Sequence, residues 1–382
     1  MNRRRFLVLT GGGVVLAATA GAGAFVATRD PAIARQPWQQ AGSLYSEPRM
    51  RALSYAVLAP SPHNRQSWTV RLQGEDEVIV GYDVERGLPQ TDPFDRQLTI
   101  GMGCFLELLE MAANADGWRL ETSLFPDGSS PQKLDNRPVA RIRFLRDANI
   151  AADPLFDHVL DRRTNRLAYD VERPVPQAAL ERVIAAARSV EISGGTADMN
   201  DVERLRAITH DAMAVETDTP APHMESVALF RIGKREINAN PDGISLGGPM
   251  MEILSLLGLM SREASIDPTS QTFKQARDMI LAPLHTSMGF VWLVTGENSR
   301  ESQIAAGRDW LRMQLACTAE GLAFQPNSQP LQEYPEMASL YEAAHDALAP
   351  DGGTVQMLSR IGYAGDVPPS PRWPLESRIL AT

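Results

Sequence analysis

Cysteine is nearly absent from this chain: 382 residues contain two, Cys104 and Cys317. Each falls in an apolar predicted helix, far from the other, which excludes a disulfide framework and reads as free, buried thiols. There is no Cys-x-x-Cys, and the six histidines show no ligand spacing, so the sequence gives no case for a metal site. Positive charge is also in short supply. Lys and Arg total 37 against 47 Asp and Glu, a formal net charge of -10 with a pI near 5.2, which argues against a general nucleic-acid binder. No Gly-x-Gly-x-x-Gly follows a predicted strand, so no internal dinucleotide fold is expected. Beyond residue 30 no run approaches ~18 consecutive apolar residues, so no later membrane-spanning helix is expected.

The first thirty residues read as an address. Asn2-Arg3-Arg4-Arg5-Phe6-Leu7 matches the twin-arginine export pattern, and a Gly- and Ala-rich apolar stretch follows from Val8 to Ala27. Small-residue cleavage candidates include Ala22-Gly23-Ala24. The reading is export by the twin-arginine machinery to the periplasm or cell envelope, with no stable membrane insertion after cleavage. The alternative is an uncleaved anchor, since the stretch is about long enough to span a bilayer. Twin-arginine export suits proteins that fold first, often around a cofactor.

The remainder has an ordinary globular composition, 43% hydrophobic and 22% charged, enough for two core-sized units. A linker over 31–41 precedes a helix that Ser46-Glu47-Pro48 starts and Pro60 and Pro62 stop. A hairpin is expected around Gly74, then a long helix over 96–116 ended by Gly117, then strands at 119–124 and 139–144. The second half, from Pro154, is expected to hold helices over 176–187, 200–214, 226–236 and 249–260, with a strand at 190–193. A buried strand over 289–294, a helix over 299–320 ended by Gly321, and a late strand at Ile361-Gly362-Tyr363 complete it. Mixed strands and long helices give an α+β fold class. A faint repeat relates Ile100, Gly103, Ala112, Ala115 and Gly117 to Ile304, Gly307, Ala316, Ala319 and Gly321, 204 residues later.

Two short segments carry the chemistry. Arg162-Arg163-Thr164-Asn165-Arg166 supplies three guanidinium groups and a hydroxyl, the donors that a phosphate dianion needs. In an extended or turn conformation Arg162, Thr164 and Arg166 share a side. Ala59-Pro60-Ser61-Pro62-His63-Asn64-Arg65-Gln66 is a proline-stiffened polar loop whose Ser61, Asn64 and Gln66 can address the polar edge of a flat ring. Taken alone, this loop also reads as an ordinary helix-stop turn. Gly243-Ile244-Ser245-Leu246-Gly247 matches the nucleophile-elbow pattern, but a polar, proline-broken stretch precedes it where that motif needs a buried strand.

Together these segments resemble the flavin mononucleotide (FMN) site of the nitroreductase family. The proline-stiffened loop is similar to the family's Pro-Ser loop, with Asn, Gln and Trp following. The arginine cluster is similar to its Arg-Arg-Ser-x-Arg phosphate motif, with Thr164 for serine and Tyr169 at the aromatic position. Gly307 to Gly321 resembles its long core helix, and Ile361-Gly362-Tyr363 with Ser370-Pro371-Arg372 resembles its C-terminal segment. The resemblance spans roughly 45–375. Ordinary members carry the arginine motif first and the loop later. Here the loop lies in the first half and the arginines in the second, the layout of the Acg-like branch of two fused units.

The resemblance implies an intramolecular pseudo-dimer, with halves over 42–150 and 151–382, a candidate lid around 214–265, and one FMN at the seam. It implies Arg162, Arg163, Thr164, Arg166, Ser370 and Arg372 at the phosphate. It also implies Pro60, Ser61, Asn64 and Gln66 at the ring, with Gly321 and the residues after it to about Gln325 at the ring edge. The expected activity is two-electron transfer from NAD(P)H or another diffusible donor to a small organic acceptor, the flavin N5 carrying the chemistry with no catalytic acid or base required. The alternative is a flavin-storing protein with little turnover. A fused pair is expected to be a monomer or weak dimer.

Overall fold

The computed structural model describes residues 29–256 and 261–381. The twin-arginine motif, the apolar stretch 8–27 and the last residues of the helix expected over 249–260 lie outside the described residues.

The expected linker is folded. A 3-10 turn at Ile33–Arg35 leads into helix α1 (Gln36–Gln40), which buries Trp38. Pro48 opens α2 (Pro48–Ala56), where the Glu47 carboxylate accepts from Met50 N–H at 2.8 Å. Strands β1 (Trp68–Gln73) and β2 (Glu77–Tyr82) form the hairpin around Gly74, which takes a φ of +53°. Next comes α3 (Arg96–Ala115), whose opening N–H groups at Gln97 and Leu98 donate to the Asp92 carboxylate at 3.1 and 2.8 Å. Gly117 ends it at a φ of +74°. Strands β3 (Trp118–Leu124) and β4 (Ala140–Arg146) complete an antiparallel sheet of order β1-β2-β4-β3.

The second half repeats that path. Helix α4 (Gln177–Ile184) leads to β5 (Ile192–Thr196). A long insertion then holds α5 (Met199–Asp218), α6 (Pro220–Ala228), β6 (Phe230–Ile232), α7 (Gly233–Ala239), β7 (Ile244–Leu246), α8 (Pro249–Leu256), α9 (Arg262–Ile266) and α10 (Gln271–Leu281). The chain resumes with β8 (Gly289–Thr295), α11 (Arg300–Ala319), β9 (Ala323–Pro326), α12 (Ala338–Leu348) and β10 (Thr354–Gly362). Its sheet is antiparallel with order β5-β8-β10-β9, the same strand-strand-helix-strand-strand circuit as the first. The helix expected over 226–236 is broken instead: α6 stops at Ala228, and Gly233, at a φ of +75°, opens α7 after the short strand β6. β6 and β7 pair in parallel within the insertion.

At the centre α3 and α11 cross at their glycines. A Cβ on Gly103 would lie 2.3 Å from the Ile304 carbonyl oxygen, and one on Gly307 would lie 2.0 Å from the Ile100 oxygen. The two contacts mirror each other at the 204-residue spacing. Among the described residues α3 alone is long and apolar enough to cross a membrane, and it is the buried core of the fold. The C-terminal tail runs back over the first half: Arg372 N–H donates to Ala34 O at 2.8 Å and Leu380 N–H to Val70 O at 2.8 Å.

Candidate functional site

The two segments singled out from sequence meet beside the α3–α11 crossing. Two adjoining lobes of one cavity, about 410 and 160 Å3, share Pro60, Ser61, His63, Thr164 and Arg166 as walls. The larger lobe is closed by Arg29, Arg35, Ser370 and Arg372 on one side and by Ile237 and Gly243 of the insertion on the other. The smaller is lined by Ile100, Gly101 and Cys104 of α3, Trp310 of α11, and Gln325, Gln329 and Gln332. A bigger concavity, about 910 Å3, lies on the outer face of the first sheet along Arg71, Ile79 and Arg141. It is open to solvent and gathers none of the unpaired polar groups described next.

Four arginines here, Arg162, Arg163, Arg166 and Arg372, have no carboxylate partner among the described residues, and Arg163 turns back onto its own segment. Arg162 is 3% exposed and donates to Leu58 O at 3.0 Å and Gln314 Oε1 at 3.1 Å. Arg372 is 2% exposed and donates to Leu58 O and Ala59 O at 2.9 and 3.0 Å and to Asn64 Oδ1 at 2.8 Å. The Nε of each is buried without a partner. Arg166 makes no hydrogen bond or ion pair with any described residue and projects into the cavity, hemmed in by protein yet still accessible. Burial pushes Arg162 down to about 10, with the Arg163 charge adding to it, and pushes Arg372 far down, with Arg162 adding to it. Guanidinium groups nevertheless stay charged at neutral pH. Unneutralised positive charge is therefore concentrated at one end of a cavity, which an anion would relieve. Trp38 lies beneath it, its ring centroid 5.4, 5.2 and 5.5 Å from the guanidinium carbons of Arg162, Arg163 and Arg372.

The residues expected at the site divide into two groups. Pro60, Ser61, Asn64, Thr164, Arg166, Ser370 and Arg372 line the larger lobe. Gln66, Arg162, Arg163 and Gly321 line neither lobe. Gln66 is fully buried and spends its amide on the fold, donating to Pro241 O at 2.8 Å and accepting from Trp373 N–H at 2.9 Å. Arg163 turns back onto Leu160 O and Arg162 O at 2.7 and 2.8 Å. Arg162 sits behind the wall. Gly321 is the exposed left-handed end of α11, and Gln325 reaches the cavity in its place. Asn64 lines the lobe, but its amide is committed, donating to Pro371 O at 3.1 Å and accepting from Arg372. It positions an arginine rather than a ring. Ser61 Oγ accepts from Gln66 N–H at 2.9 Å and keeps its own proton to donate.

Sequence reasoning missed Glu216. It is a buried carboxylate on α5 facing His63 Nε2 at 3.9 Å and accepting from Gln332 Nε2 at 2.8 Å. Burial would raise its pKa, but His63 and the glutamines Gln332 and Gln329 hold it below the ordinary carboxylate range. Nothing in the local sequence of α5 marks it. Trp38 was likewise hidden in the supposed linker. The thiols of Cys104 and Cys317 are free and buried, and burial pushes both far up.

No family model matches the chain. It is 26% identical, over 84% of its own length and 87% of the relative's, to a Mycobacterium tuberculosis protein provisionally named an NAD(P)H nitroreductase. It is 25% identical, over 85% of its length and 91% of the relative's, to an uncharacterized protein of the same organism. Among solved structures it is similar to an FMN-bound nitroreductase from Bacteroides fragilis, with 14% identity, TM-score 0.33, and coverage of 56% of this chain and 90% of that one. It is also similar to an FMN-dependent nitroreductase from Mycobacterium smegmatis in complex with NADPH, with 20% identity, TM-score 0.35, and coverage of 57% and 92%. The likeness to the first of these relatives runs over most of both chains at 26% identity, and the structural scores are too low to add to it.

Proposed function

We propose that this chain is an FMN-binding oxidoreductase of nitroreductase type. It would pass two electrons from NAD(P)H or another donor to a small organic acceptor, at a single site on the seam of two related halves. The observation that carries the reading is that Arg162, Arg166 and Arg372, none with a carboxylate partner among the described residues, gather at one end of a cavity beside the central helix crossing. A phosphate dianion supplies the missing charge.

The donor set fits that group. Arg166, Arg372 and the Thr164 hydroxyl would hold the phosphate, and Arg162 would add its field from behind. Pro60, Ser61, Ile100, Gly101 and Trp310 offer the largely apolar wall and the hydroxyl that a flat amphipathic ring needs. A bound flavin supplies the hydride-accepting and hydride-donating centre; the protein's share is orientation, exclusion of water and electrostatics. Asn64 fixes the Arg372 fork, and the Trp38 face shields it from solvent.

The shared circuit of the two sheets and the mirrored glycine crossing support two fused units. The same spacing supports one site rather than two. Cys104 lines the cavity and Gln314 accepts from Arg162. Their counterparts 204 residues away are Arg308 and Glu110, bonded to each other at 2.6 Å. Arg312 adds bonds to Glu107 and Asp153, both at 2.8 Å. An ionic plug thus stands where the second site would be.

A flavin-storing role is the alternative. It is favoured by the insertion, which walls the cavity through Ile237, Gly243 and Met213. Stopped-flow mixing of purified protein with NADH or NADPH separates the two: bleaching of the flavin band within seconds is expected of the oxidoreductase, and none with either donor means storage. We also propose export by the twin-arginine route, on the strength of residues 2–27. Fractionation of cells making the chain with Arg3, Arg4 and Arg5 changed to Lys would retain it in the cytoplasm if this holds.

A further inference from the structure

The site loop takes its shape against its own backbone preferences. His63, Asn64 and Gln66 have φ of +45°, +53° and +49°, a region that residues with side chains seldom occupy. Such conformations persist only where neighbours over-determine them. Here the C-terminal segment supplies some of those neighbours, at Pro371, Arg372 and Trp373, and the insertion supplies the rest. Pro241 O accepts from Gln66 Nε2 at 2.8 Å, and Gly243 N–H donates to Asn64 O at 3.3 Å. Asp242 pairs with Arg86 at 2.7 Å and Arg65 at 3.6 Å. His63 Nε2 faces Glu216 at 3.9 Å and Ser226 Oγ at 3.4 Å.

Among these ties one is conditional. Glu216 is 7% exposed, and no lysine or arginine pairs with it among the described residues; His63 is its one titratable cation. We propose that Glu216 and His63 form a protonation-dependent latch, through which the insertion positions the site loop and, by way of Asn64, the Arg372 guanidinium. The inference rests on reading the cavity as a flavin site. Glu216 is held ionised by its partners, so the charge of the buried carboxylate is matched only when the facing imidazole, 3.9 Å away, carries a proton. Protonated, it neutralises the buried carboxylate. Deprotonated, it leaves that charge unpaired and the loop less constrained.

The other charged or titratable groups around the pair do not compete. The Tyr334 phenol, pushed up by burial and by Glu216, stays neutral. Arg166 shares the cavity wall and stays charged. Glu225, one residue from Ser226, is engaged by the N–H groups of Gln90 and Thr91 at 3.0 and 2.9 Å.

The test uses the full-length flavin-loaded protein. Release of FMN, read by recovery of free-flavin fluorescence, should quicken about tenfold between about pH 5.5 and about pH 9, across the imidazole range. Glu216→Gln should release fast at both ends with a flat profile. His63→Asn, which tolerates a positive φ, should do the same. A separate readout needs no flavin: amide exchange over residues 61–66 should be faster in Glu216→Gln than in the parent at the acid end. A flat parental profile, or a Glu216→Gln profile parallel to it, overturns the latch. If the chain binds no FMN, the flavin reading fails by itself, and unchanged exchange at 61–66 in Glu216→Gln then overturns the latch separately.

Discussion

Replacing Gly103 with alanine places a methyl group where two helices meet backbone to backbone. The new Cβ would stand 2.3 Å from Ile304 O and 2.9 Å from Gly307 Cα, whereas ordinary contact begins near 3.4 Å. Neither obstacle is a side chain that can swing away, so α3 and α11 must part by about 1 Å, and close-packed interiors resist that. Overpacking costs about 1–3 kcal/mol, and this case belongs at the upper end. Alanine's better helix propensity returns about 1 kcal/mol. The net expectation is a loss of about 2 kcal/mol, a fall in melting temperature on the order of 3 °C for a chain of this length. Gly307→Ala should match it, because its Cβ would lie 2.0 Å from Ile100 O. The double variant should lose clearly less than the sum, since once the helices have separated the other methyl finds room. Thermal unfolding followed by circular dichroism measures all three. A Gly103→Ala variant more stable than its parent, or strictly additive losses, would refute the mirrored crossing.

Arg166→Ala removes a guanidinium that bonds nothing among the described residues, so melting of the flavin-free chain should be unchanged while FMN binds about 10–100-fold more weakly, measurable by fluorescence titration. Cys104 and Cys317 are buried with their thiols pushed far up, so native protein should resist iodoacetamide at neutral pH and label at both only after unfolding, counted by intact mass. Asp92 is fully buried and raised from 3.8 to about 6, by burial against the pull of its Leu98 N–H bond and the Arg96 charge. The folded state then holds the proton more tightly than the unfolded one. This residue's contribution is present below about pH 4 and lost as pH rises to about 6, by up to about 3 kcal/mol. Across that window the denaturant midpoint of the parent should fall with pH relative to that of Asp92→Asn, which isolates this residue from the carboxylates that act in the opposite sense.

What the sequence made legible was local and periodic. Gly117 and Gly321 end long apolar helices because each supplies a left-handed cap, and that signal survives without tertiary context. The hairpin at Gly74 and the strand over 289–294 were visible for the same reason. The helices Gln271–Leu281 and Ala338–Leu348 were not read from the sequence, although each carries an apolar face. At the site, the residue types were legible but not their directions. Alternation places Arg162 beside Thr164 and Arg166. Yet the carbonyl of Leu58 and the amide of Gln314, from two other elements, draw Arg162 behind the wall. The polar amide of Gln66 suggests a ring contact, and only the distant chain at Pro241 and Trp373 shows that both ends are taken. Glu216 depends on a partner far away in the chain, so no local pattern could mark it.

The central claim is one flavin at one seam, the mirror position being plugged by Arg308 and Glu110. Full-length protein, purified without added cofactor and then saturated with FMN, should show the oxidised flavin spectrum at one FMN per chain. Release by acid with quantitation against free FMN fixes that ratio. A chain that stays colourless after saturation, or one that holds two, contradicts the account.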